Sequence, residues 1–432
     1  MPIGQMSMKL RMRKVLAMSA AIAALPACGA GTDQAARGEA IFRDSAGVVI
    51  VENSSGSEAL APVWNIDPNP SVRIGVMMGE PAYQFGRIDG LARLSDGRIV
   101  VLDGIARELR YFGAGGEHLY TVGKSGEGPG ELLPAGFARL FSLAGDTVAV
   151  WTVSRLSLFD QEGEFADAVA GSATSPLGLL SGRTIVAFRG ETLVPPPGPE
   201  GLTRQANHYV KIDLLNPETQ DTVTFKVGRH TWGTRTIEIQ PGLVVSENGI
   251  HVPFTHPPIS YIGSGRFAIT TGVEREIEVF DGDGQLVRII RVADEPTPLP
   301  RELFRARTNR LLEELEPETR QERASQYASM PAPAVIPAYA PAAVGGMNRM
   351  LMNAEGEIWI GRFDPDSDLS FFPNSNPAVW TVFDGEGRVA GTVHMPPRFT
   401  PYELTADGVL GVYRDDFDVE YVQHVRVERT PA

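Results

Sequence analysis

A two-part pattern recurs along the chain and limits the folds that it can adopt. The first part is a glycine-led turn that runs into a short apolar strand. The second part is a strand that ends in Phe and is followed four residues later by Gly. Such repetition, here at about 40 to 50 residues, is typical of propellers and solenoids. The turns begin at Gly97, Gly145, Gly182, Gly265, Gly356 and Gly408, and the clearest strand-ending residues are Phe112, Phe159, Phe280 and Phe383.

Each repeat contains enough apolar segments for four strands. Another apolar segment precedes each glycine-led turn, and a further strand follows each Phe hairpin. In the first two repeats, residues 91–94 align with residues 137–140, and Phe112 aligns with Phe159. Four-stranded units in a radial array form a β-propeller. We therefore predict an all-β fold, a six-bladed β-propeller that spans residues 46–432.

The two ends of the repeat region complement one another. Residues 71–75 are similar to the outer strand at 120–123, although no repeat precedes them. The last repeat, residues 401–429, supplies only three strands. We predict that the N-terminal strand is the fourth strand of the last blade, because this pairing removes two open sheet edges at once.

Three insertions interrupt the repeats. Residues 296–346 have proline-rich flanks. Residues 301–315 carry apolar residues at helical spacing, and Pro317 opens a second predicted helix that runs to about residue 328. We predict a helical insertion between blades four and five, whose apolar side packs on the propeller or, alternatively, binds a partner. Residues 190–207 and 229–256 are predicted to form a long loop and a small hairpin. The apolar stripe comprises Phe304, Leu311, Leu312 and Leu315.

The N-terminus has the features of an export signal. A basic segment precedes the apolar residues 15–25, which are too few to span a bilayer permanently. The segment ends in Leu25-Pro26-Ala27-Cys28-Gly29, which resembles the bacterial lipobox, and Cys28 is the only cysteine. We predict a lipoprotein signal peptide over residues 1–27, lipidation of Cys28 and a flexible tether over residues 28–45. An ordinary signal peptide with an incidental cysteine is the alternative.

These features predict a bacterial lipoprotein of the cell envelope, anchored to a membrane on its periplasmic or surface side. Two or more acyl chains on one cysteine are enough for stable anchoring. The formal net charge of −14 argues against a nucleic-acid partner, because such proteins need a basic surface.

The loops before two repeats point to a known group of propellers. Residues 126–132 read Gly-Glu-Gly-Pro-Gly-Glu-Leu, and residues 79–85 are a degenerate copy. Together with the repeated hairpins, they resemble the NHL-like six-bladed propellers of bacterial lipoproteins, over roughly residues 62–430. The resemblance implies a central channel and loops that bind a ligand or partner. Arg155 occupies the position where NHL repeats place an Arg before the Phe, but Glu108 and Glu276 occupy it elsewhere.

Phosphate-binding and triad motifs are incomplete in this sequence. Residues 123–125 resemble the end of a phosphate-binding loop, but His118 stands where its first Gly is required, and Pro129 follows where a helix would begin. No nucleophile, base and orienting residue occur in a recognisable pattern, so we predict no catalytic residues.

Metal motifs are also incomplete. Asp364, Asp366 and Asp368 alternate as in a calcium loop, but Leu369 and Ser375 replace the required Gly and Glu. His251 and His256 have no evident third ligand for a metal. We predict no cofactor and no metal ligands, although a calcium site of another type stays open.

Any site would be assembled at the channel mouth from several blades. The loops that join an outer strand to the next inner strand border one face of the ring, and they carry our candidate ligand-binding residues. These are Tyr83, Lys124, Glu127 and Glu131.

Three functions are compatible with the sequence. The first is a non-enzymatic module that binds a protein, peptide or glycan. The second is a calcium-dependent hydrolase or lactonase with its site at the channel, which requires at least three converging oxygen ligands. The third is a component of a larger envelope complex that docks through the helical insertion.

Overall fold

The computed structural model describes most of the chain between Ala40 and Thr430. The described residues are 40–134, 138–143, 145–152, 155–170, 175–181, 184–191, 202–204, 206–213, 220–222, 226–227, 230–231, 244–246, 254, 259–263, 265–270, 272, 274–313, 315–329, 332–340, 349–365 and 377–430. The predicted signal peptide, Cys28, His251, His256, Asp366 and Asp368 lie outside them, as do most of the tether and of the two shorter insertions.

An N-terminal segment precedes the repeats. Its elements are β1 (Ile41–Ser45), β2 (Val48–Asn53), α1 (Ser57–Leu60), β3 (Val63–Ile66) and β4 (Val72–Ile74).

The repeats form antiparallel sheets, which we label A to F in chain order. Sheet A comprises β5 (Ile88–Arg93), β6 (Ile99–Asp103), β7 (Glu108–Phe112) and β8 (His118–Val122). Sheet B comprises β9 (Ala138–Ser142), β10 (Val148–Thr152), β11 (Arg155–Phe159) and β12 (Phe165–Ala170). Sheet C comprises β13 (Ser175–Ser181), β14 (Thr184–Glu191), β16 (Ala206–Asp213) and β17 (Gln220–Thr222). Two small pairs accompany sheet C, β15 (Leu202–Arg204) with β20 (Val244–Ser246) and β18 (Lys226–Val227) with β19 (His230–Thr231).

The second half of the chain continues the series and contains the helices. Sheet D comprises β21 (Ile259–Gly263), β22 (Arg266–Thr270), β23 (Glu276–Phe280) and β24 (Leu286–Val292). Helices α2 (Arg301–Glu313) and α3 (Pro317–Ser329) follow. Sheet E comprises β25 (Met350–Met352), β26 (Ile358–Gly361), β27 (Val379–Phe383) and β28 (Val389–His394). Sheet F comprises β29 (Phe399–Leu404), β30 (Gly408–Arg414) and β31 (Glu420–Glu428), with β4 at its edge.

The first strand of each sheet faces a common axis. Strand β5 contacts β9, and the contacts continue through β13, β21, β25 and β29 back to β5. Apolar residues fill the spaces between neighbouring sheets, for example Val101 and Phe112 of sheet A against Leu410 and Val422 of sheet F. The protein is therefore a β-propeller, as the repeats predicted.

The repeated Phe residues have equivalent places in the sheets. Phe112 pairs with Ile99 and Phe159 with Val148, and both Phe side chains are buried. One part of the predicted alignment is wrong, however. Leu91 pairs with Val101 as Leu140 pairs with Val150, so the inner strands correspond at a register three residues away from the predicted one. An odd shift turns every side chain to the other face of its strand, so the local sequence similarity of these segments does not mark equivalent positions.

The N-terminal strand completes the last sheet, as predicted. Ile74 of β4 pairs with Val422 of β31, and Ile74 is fully buried. Val72 pairs with His424 in the same ladder. The pairing gives sheet F its fourth strand and covers an edge that would otherwise present unpaired backbone groups.

The rest of the N-terminal segment covers two more sheets, which the sequence analysis did not predict. Strand β2 pairs in parallel with β24, and β1 pairs with β2. Strand β3 pairs in parallel with β28 and then antiparallel with β31, so it joins sheets E and F. The predicted tether extended to residue 45, whereas the paired strand begins at Ile41.

A buried ionic cluster holds helix α1 between sheets D and E. The carboxylate of Glu58 is buried and accepts hydrogen bonds from Arg275 Nε at 3.1 Å and from Thr381 Oγ1 at 3.0 Å. Its backbone carbonyl accepts one from Arg362 Nη2 at 2.9 Å. Side chains of both sheets thereby fix the chain where it passes from β2 to β3.

The helical insertion lies between sheets D and E in the sequence, as predicted. Phe304 of α2 is buried and packs against Leu299, with Phe254, Leu303 and Ile336 around them. Within the described residues, no helix is long and apolar enough to cross a membrane.

Candidate functional site in the central channel

The axis of the propeller contains a cavity of about 490 Å³. All six sheets contribute to its wall through their first strands, and in sheets E and F the turn after that strand also contributes. Volumes of this order are typical of small-molecule sites. The polar and charged lining residues are Asp89, Arg93, Arg139, Ser142, Ser260, Tyr261, Asn353, Glu355, Tyr402, Glu403 and Thr405.

Glu403 is one of the carboxyl groups that line the cavity, and its surroundings shift its pKa. It follows an irregularity in β29, and its Oε2 accepts a hydrogen bond from the Arg93 backbone N–H at 3.1 Å. The side chain keeps some contact with the channel, but burial by the surrounding protein raises its pKa to about 7. Glu403 therefore exchanges its proton near neutral pH, as groups suited to proton-linked binding or catalysis do.

Two arginines and one compensated carboxylate share this wall. Burial lowers the pKa of Arg139, and the exposed Arg93 lies close enough to Glu403 to oppose the rise in its pKa. Asp89 receives Arg87 Nε at 2.5 Å and Nη2 at 2.8 Å, and it also accepts the Ala138 N–H at 3.2 Å. The charge of Asp89 is thus balanced by its own neighbour.

The predicted binding residues lie on loops away from this lining. Lys124 Nζ is 2.9 Å from Glu131 Oε1, and Glu131 Oε2 accepts the Gly128 N–H at 2.9 Å. Hydrogen bonding from Gly128, and then from Lys124, lowers the pKa of Glu131. The structure thus brings Lys124 and Glu131 together on one loop, where Glu127 also lies, and these contacts stabilise the loop itself.

Tyr83 lies on the corresponding loop before sheet A. Its hydroxyl accepts the His118 N–H at 2.8 Å, and its ring centroid is 5.6 Å from that of Phe112. Neither Tyr83 nor the three residues of the other loop is among the residues that line the channel. Their role in binding stays a prediction.

In sheet A, the arginine expected four residues before Phe112 is replaced by Glu108, and Arg110 stands two residues later. Arg155 donates to the backbone carbonyls of Glu127, at 2.7 Å, and of Glu131. Arg110 donates to the Gln84 carbonyl at 2.6 Å and lies 3.2 Å from the Asp103 carboxylate. Because positions two residues apart share one face of a strand, both arginines hold the loop that precedes their sheet.

A Ser, a His and an Asp meet at the edge of sheet F. Ser71 Oγ is 2.6 Å from His424 Nδ1, and His424 Nε2 is 2.8 Å from Thr405 Oγ1 and 3.5 Å from Asp407 Oδ1. The Ser71 N–H donates to the His424 carbonyl at 2.8 Å, as part of the ladder that closes the sheet. Ser71 and His424 line neither described cavity, so we interpret this cluster as contacts that stabilise the pairing of β4 with β31.

A second cavity, of about 550 Å³, lies where β3 joins sheets E and F. Trp64, Arg73, His394 and Gln423 are among the residues that line it. Within the described part of the chain, no group of three His, Cys, Asp or Glu side chains could hold a metal ion. Asp364 is the one member of the predicted calcium pattern that lies among the described residues.

The channel residues were not evident from the sequence, because they come from six separate sheets that lie far apart along the chain. Glu403 had one available signal, a carboxyl in an inner strand that is otherwise largely apolar. Arg93 and Arg139 are matched in the predicted alignment, but the structure places them at different registers. Sequence proximity could not bring these side chains together.

Comparisons with known proteins define no family for this chain. No family model matches it, and no curated protein matches it. Among solved structures, a member of the DUF4221 family from Bacteroides vulgatus is 10% identical, with 84% of this chain and 98% of the other covered and a TM-score of 0.48. A Bacteroides fragilis protein whose description calls it exported is 12% identical, with 84% and 99% covered and a TM-score of 0.44.

The calcium-binding protein regucalcin from Agrobacterium tumefaciens is also similar, at 12% identity. The similarity covers 86% of this chain and 97% of regucalcin, with a TM-score of 0.32. These low values support no argument about function, which must come from the channel itself.

Proposed function

We propose that this protein is a six-bladed, NHL-like β-propeller lipoprotein of the bacterial cell envelope, whose central channel binds a ligand without transforming it. The observation that carries the proposal is the axial cavity, lined by all six sheets and containing Glu403, Arg139 and Tyr261. The contacts that run from sheet to sheet around the axis support a count of six blades. The basic and apolar leader before Cys28 supports export and anchoring.

A variant that blocks the channel tests the binding function. Ser142 lines the channel and is exposed, so Ser142→Trp would fill space there without adding bulk to the core. A panel of envelope glycans, peptides and small acids would be screened by thermal shift and confirmed by calorimetry. We expect ligands that bind the wild type and the control Glu162→Trp, at an exposed turn of sheet B, but not Ser142→Trp. Equal binding by all three proteins would place the site outside the channel.

The anchor requires a separate experiment in bacterial cells. We expect the wild type to incorporate an alkyne-labelled fatty acid and to sediment with membranes, and Cys28→Ser to do neither. Labelling or sedimentation that is unchanged in Cys28→Ser would contradict lipidation at this residue.

The alternative function, a calcium-dependent hydrolase or lactonase, needs several oxygen ligands at one point. A calorimetric calcium titration separates the two functions. Heat from a saturable calcium site, together with calcium-dependent hydrolysis of a lactone, would favour the enzyme over the binding module.

A further inference from the structure

We propose that one face of the propeller rests on the phospholipid bilayer that holds its anchor, so that the mouth of the channel opens away from the membrane. The inference rests on the anchoring at Cys28 proposed above and adds the orientation of the protein. It is drawn from the positions of the exposed apolar side chains, of the channel mouth and of the point where the described chain begins.

The order of the strands assigns each turn to one of two faces of the ring. Each sheet is an antiparallel run of four strands whose first strand lies at the axis. Successive connections of such a run lie at alternate ends of the sheet. The turns between first and second strands therefore share one face, which we call the lower face. The turns between second and third strands, and the connections from a fourth strand to the next sheet, share the opposite face, which we call the upper face.

Exposed apolar side chains are concentrated on the upper face. The turn between β6 and β7 carries Ile105, which is 62% exposed, and the turn between β30 and β31 carries Phe417, which is 75% exposed. The connection from β4 to β5 carries Met77 and Met78, and Met78 is 84% exposed. Exposed apolar groups that lie together mark sites of contact with proteins or membranes.

These side chains surround a single connection, the one that joins sheet F to sheet A. At its start, a Cβ added to Gly75 would lie 2.9 Å from the carbonyl oxygen of Glu420, the first residue after the turn that carries Phe417. At its end, a Cβ added to Gly86 would lie 2.7 Å from the Cβ of Ile105. The two turns therefore flank the segment that carries the methionines, and the four apolar side chains form one group.

The described chain begins on the same face. Ile41 pairs with Glu52, Glu52 with Arg291, and Arg291 with Glu276, the first residue of the third strand of sheet D. Ile41 thus lies at the upper end of this sheet, and it is 57% exposed. Leu60 of α1 is 77% exposed. Helix α1 is also on the upper face, since Arg275 and Arg362, which bind its Glu58, belong to connections between second and third strands.

The link to the proposed anchor is short. Cys28 and Ala40 are twelve positions apart in the sequence. A chain of this length spans at most about 40 Å when fully extended. Because Ile41 is on the upper face, the anchor would bring this face, and not the lower one, to the bilayer.

The channel opens on the lower face. Exposed residues of its lining include Arg93 and Ser142, which end the first strands of sheets A and B. Glu355, in the turn between the first two strands of sheet E, is another. The orientation that places the apolar group in the lipid therefore leaves the channel mouth accessible to ligands from the aqueous side.

Apolar contact, and not charge, would hold the upper face on lipid. The protein has a formal net charge of −14, and Asp416 beside Phe417 is exposed and lies 3.0 Å from Arg398. Side chains of this kind enter the boundary between headgroups and acyl chains by about 5–10 Å. Screening by salt weakens attraction between charges but not burial of apolar groups, so added salt should not release the face.

Depth-dependent fluorescence quenching of the mature lipoprotein tests the orientation. The protein would be reconstituted into vesicles of phosphatidylethanolamine and phosphatidylglycerol that contain doxyl-labelled phosphatidylcholine as the quencher. Since acylation occupies the sulfur of Cys28, an introduced cysteine is the only one free to carry a polarity-sensitive dye. Glu80→Cys places the dye on the upper face beside Met78, and Glu355→Cys places it at the channel mouth, both at exposed positions. We expect quenching and a blue shift of the emission at position 80, with and without high salt, and neither at position 355.

A second set of variants tests whether the apolar group causes the contact. In the protein labelled at position 80, Met78→Ser together with Phe417→Ser should lose most of the quenching. The matched control is Leu119→Ser, because Leu119 is exposed but lies on the outer strand of sheet A. It should keep the quenching of the parent protein. Thermal melting verifies the fold of each variant.

The possible failures are distinguishable. An acylated protein in which position 355 is quenched as strongly as position 80, or in which neither is quenched, would overturn the orientation and leave the anchor intact. The second result would also be expected if the upper face bound another protein. A protein that carries no acyl chain and does not sediment with the vesicles would overturn the anchor and this inference together. Ligand binding in the channel is measured separately, through Ser142→Trp, and depends on neither result.

Discussion

Substitution of Glu58 tests whether the N-terminal segment is held by a buried charge. Glu58→Gln keeps the shape of the side chain but removes the negative charge next to Arg275. Breaking a buried ion pair by removing one partner typically costs about 3–5 kcal/mol. Arg275 is 23% exposed and lies 3.7 Å from Asp294, which reduces the penalty. The amide oxygen of Gln can still accept from Thr381, so we expect a loss of about 2–3 kcal/mol.

Urea denaturation followed by tryptophan fluorescence measures this loss as a shift of the midpoint at unchanged slope. The matched control is Glu386→Gln, because Glu386 forms an ion pair with Arg388 in which both side chains are exposed. Exposed pairs are worth less than about 1 kcal/mol, so the control should unfold close to the wild type. If Glu58→Gln lay within about 0.5 kcal/mol of the wild type, the cluster would not stabilise the fold as we argue.

Three further predictions concern the loops, the turns and the closing strand. Arg155→Met should leave the protein folded but lower the free energy of opening the 127–131 loop by about 1–3 kcal/mol, because the hydrogen bonds of the arginine to this loop are lost. The amide hydrogens of the loop should then exchange faster, and unchanged exchange would contradict the role of the arginine. Gly163→Ala should lower the free energy of unfolding, measured by urea denaturation, by about 1–2 kcal/mol more than Gly145→Ala does. Equal decreases for the two variants would contradict this prediction. Both glycines have positive φ, but an added Cβ at Gly163 would meet neighbouring side chains at 3.1–3.2 Å, whereas the space at Gly145 is open. Burial lowers the pKa of His424 in the folded protein. The contribution of neutral His424 to the free energy of unfolding is therefore present above the pKa of His in the unfolded chain, and it is lost as the pH falls below about 6.5. The difference in free energy of unfolding between the wild type and His424→Asn should shrink from about pH 7.5 to about pH 5, and a difference that grows would contradict this argument.

Much of the fold could be predicted because the repeats use local signals. The glycine turns and buried Phe residues mark the same hairpin in successive sheets, and the unmatched strand at Ile74 indicated where the last sheet is completed. Helix α2 was evident from its apolar spacing, and α3 from Pro317 at its start. These features depend on neighbours in the sequence or on a count of strands.

The parallel additions could not be predicted, because no periodic pattern specifies them. Strand β2 joins β24, and β3 passes from β28 to β31, at positions fixed by long-range contacts such as Trp64 Nε1 donating to the Thr430 carbonyl at 3.2 Å. The channel site could not be predicted from the sequence for the same reason, since Glu403, Arg93 and Tyr261 come from three different sheets. Their closeness is a property of the ring, not of any segment.

The coverage of sheets D, E and F by the N-terminal segment has a consequence for biogenesis. Asn53 Nδ2 donates to the Gly387 carbonyl at 3.0 Å, and Val72 pairs with His424, so residues translated early find their partners only in residues translated late. Contacts of such long sequence separation slow folding. A nascent chain would therefore emerge without a finished ring, which is compatible with the export across a membrane that we propose for this protein.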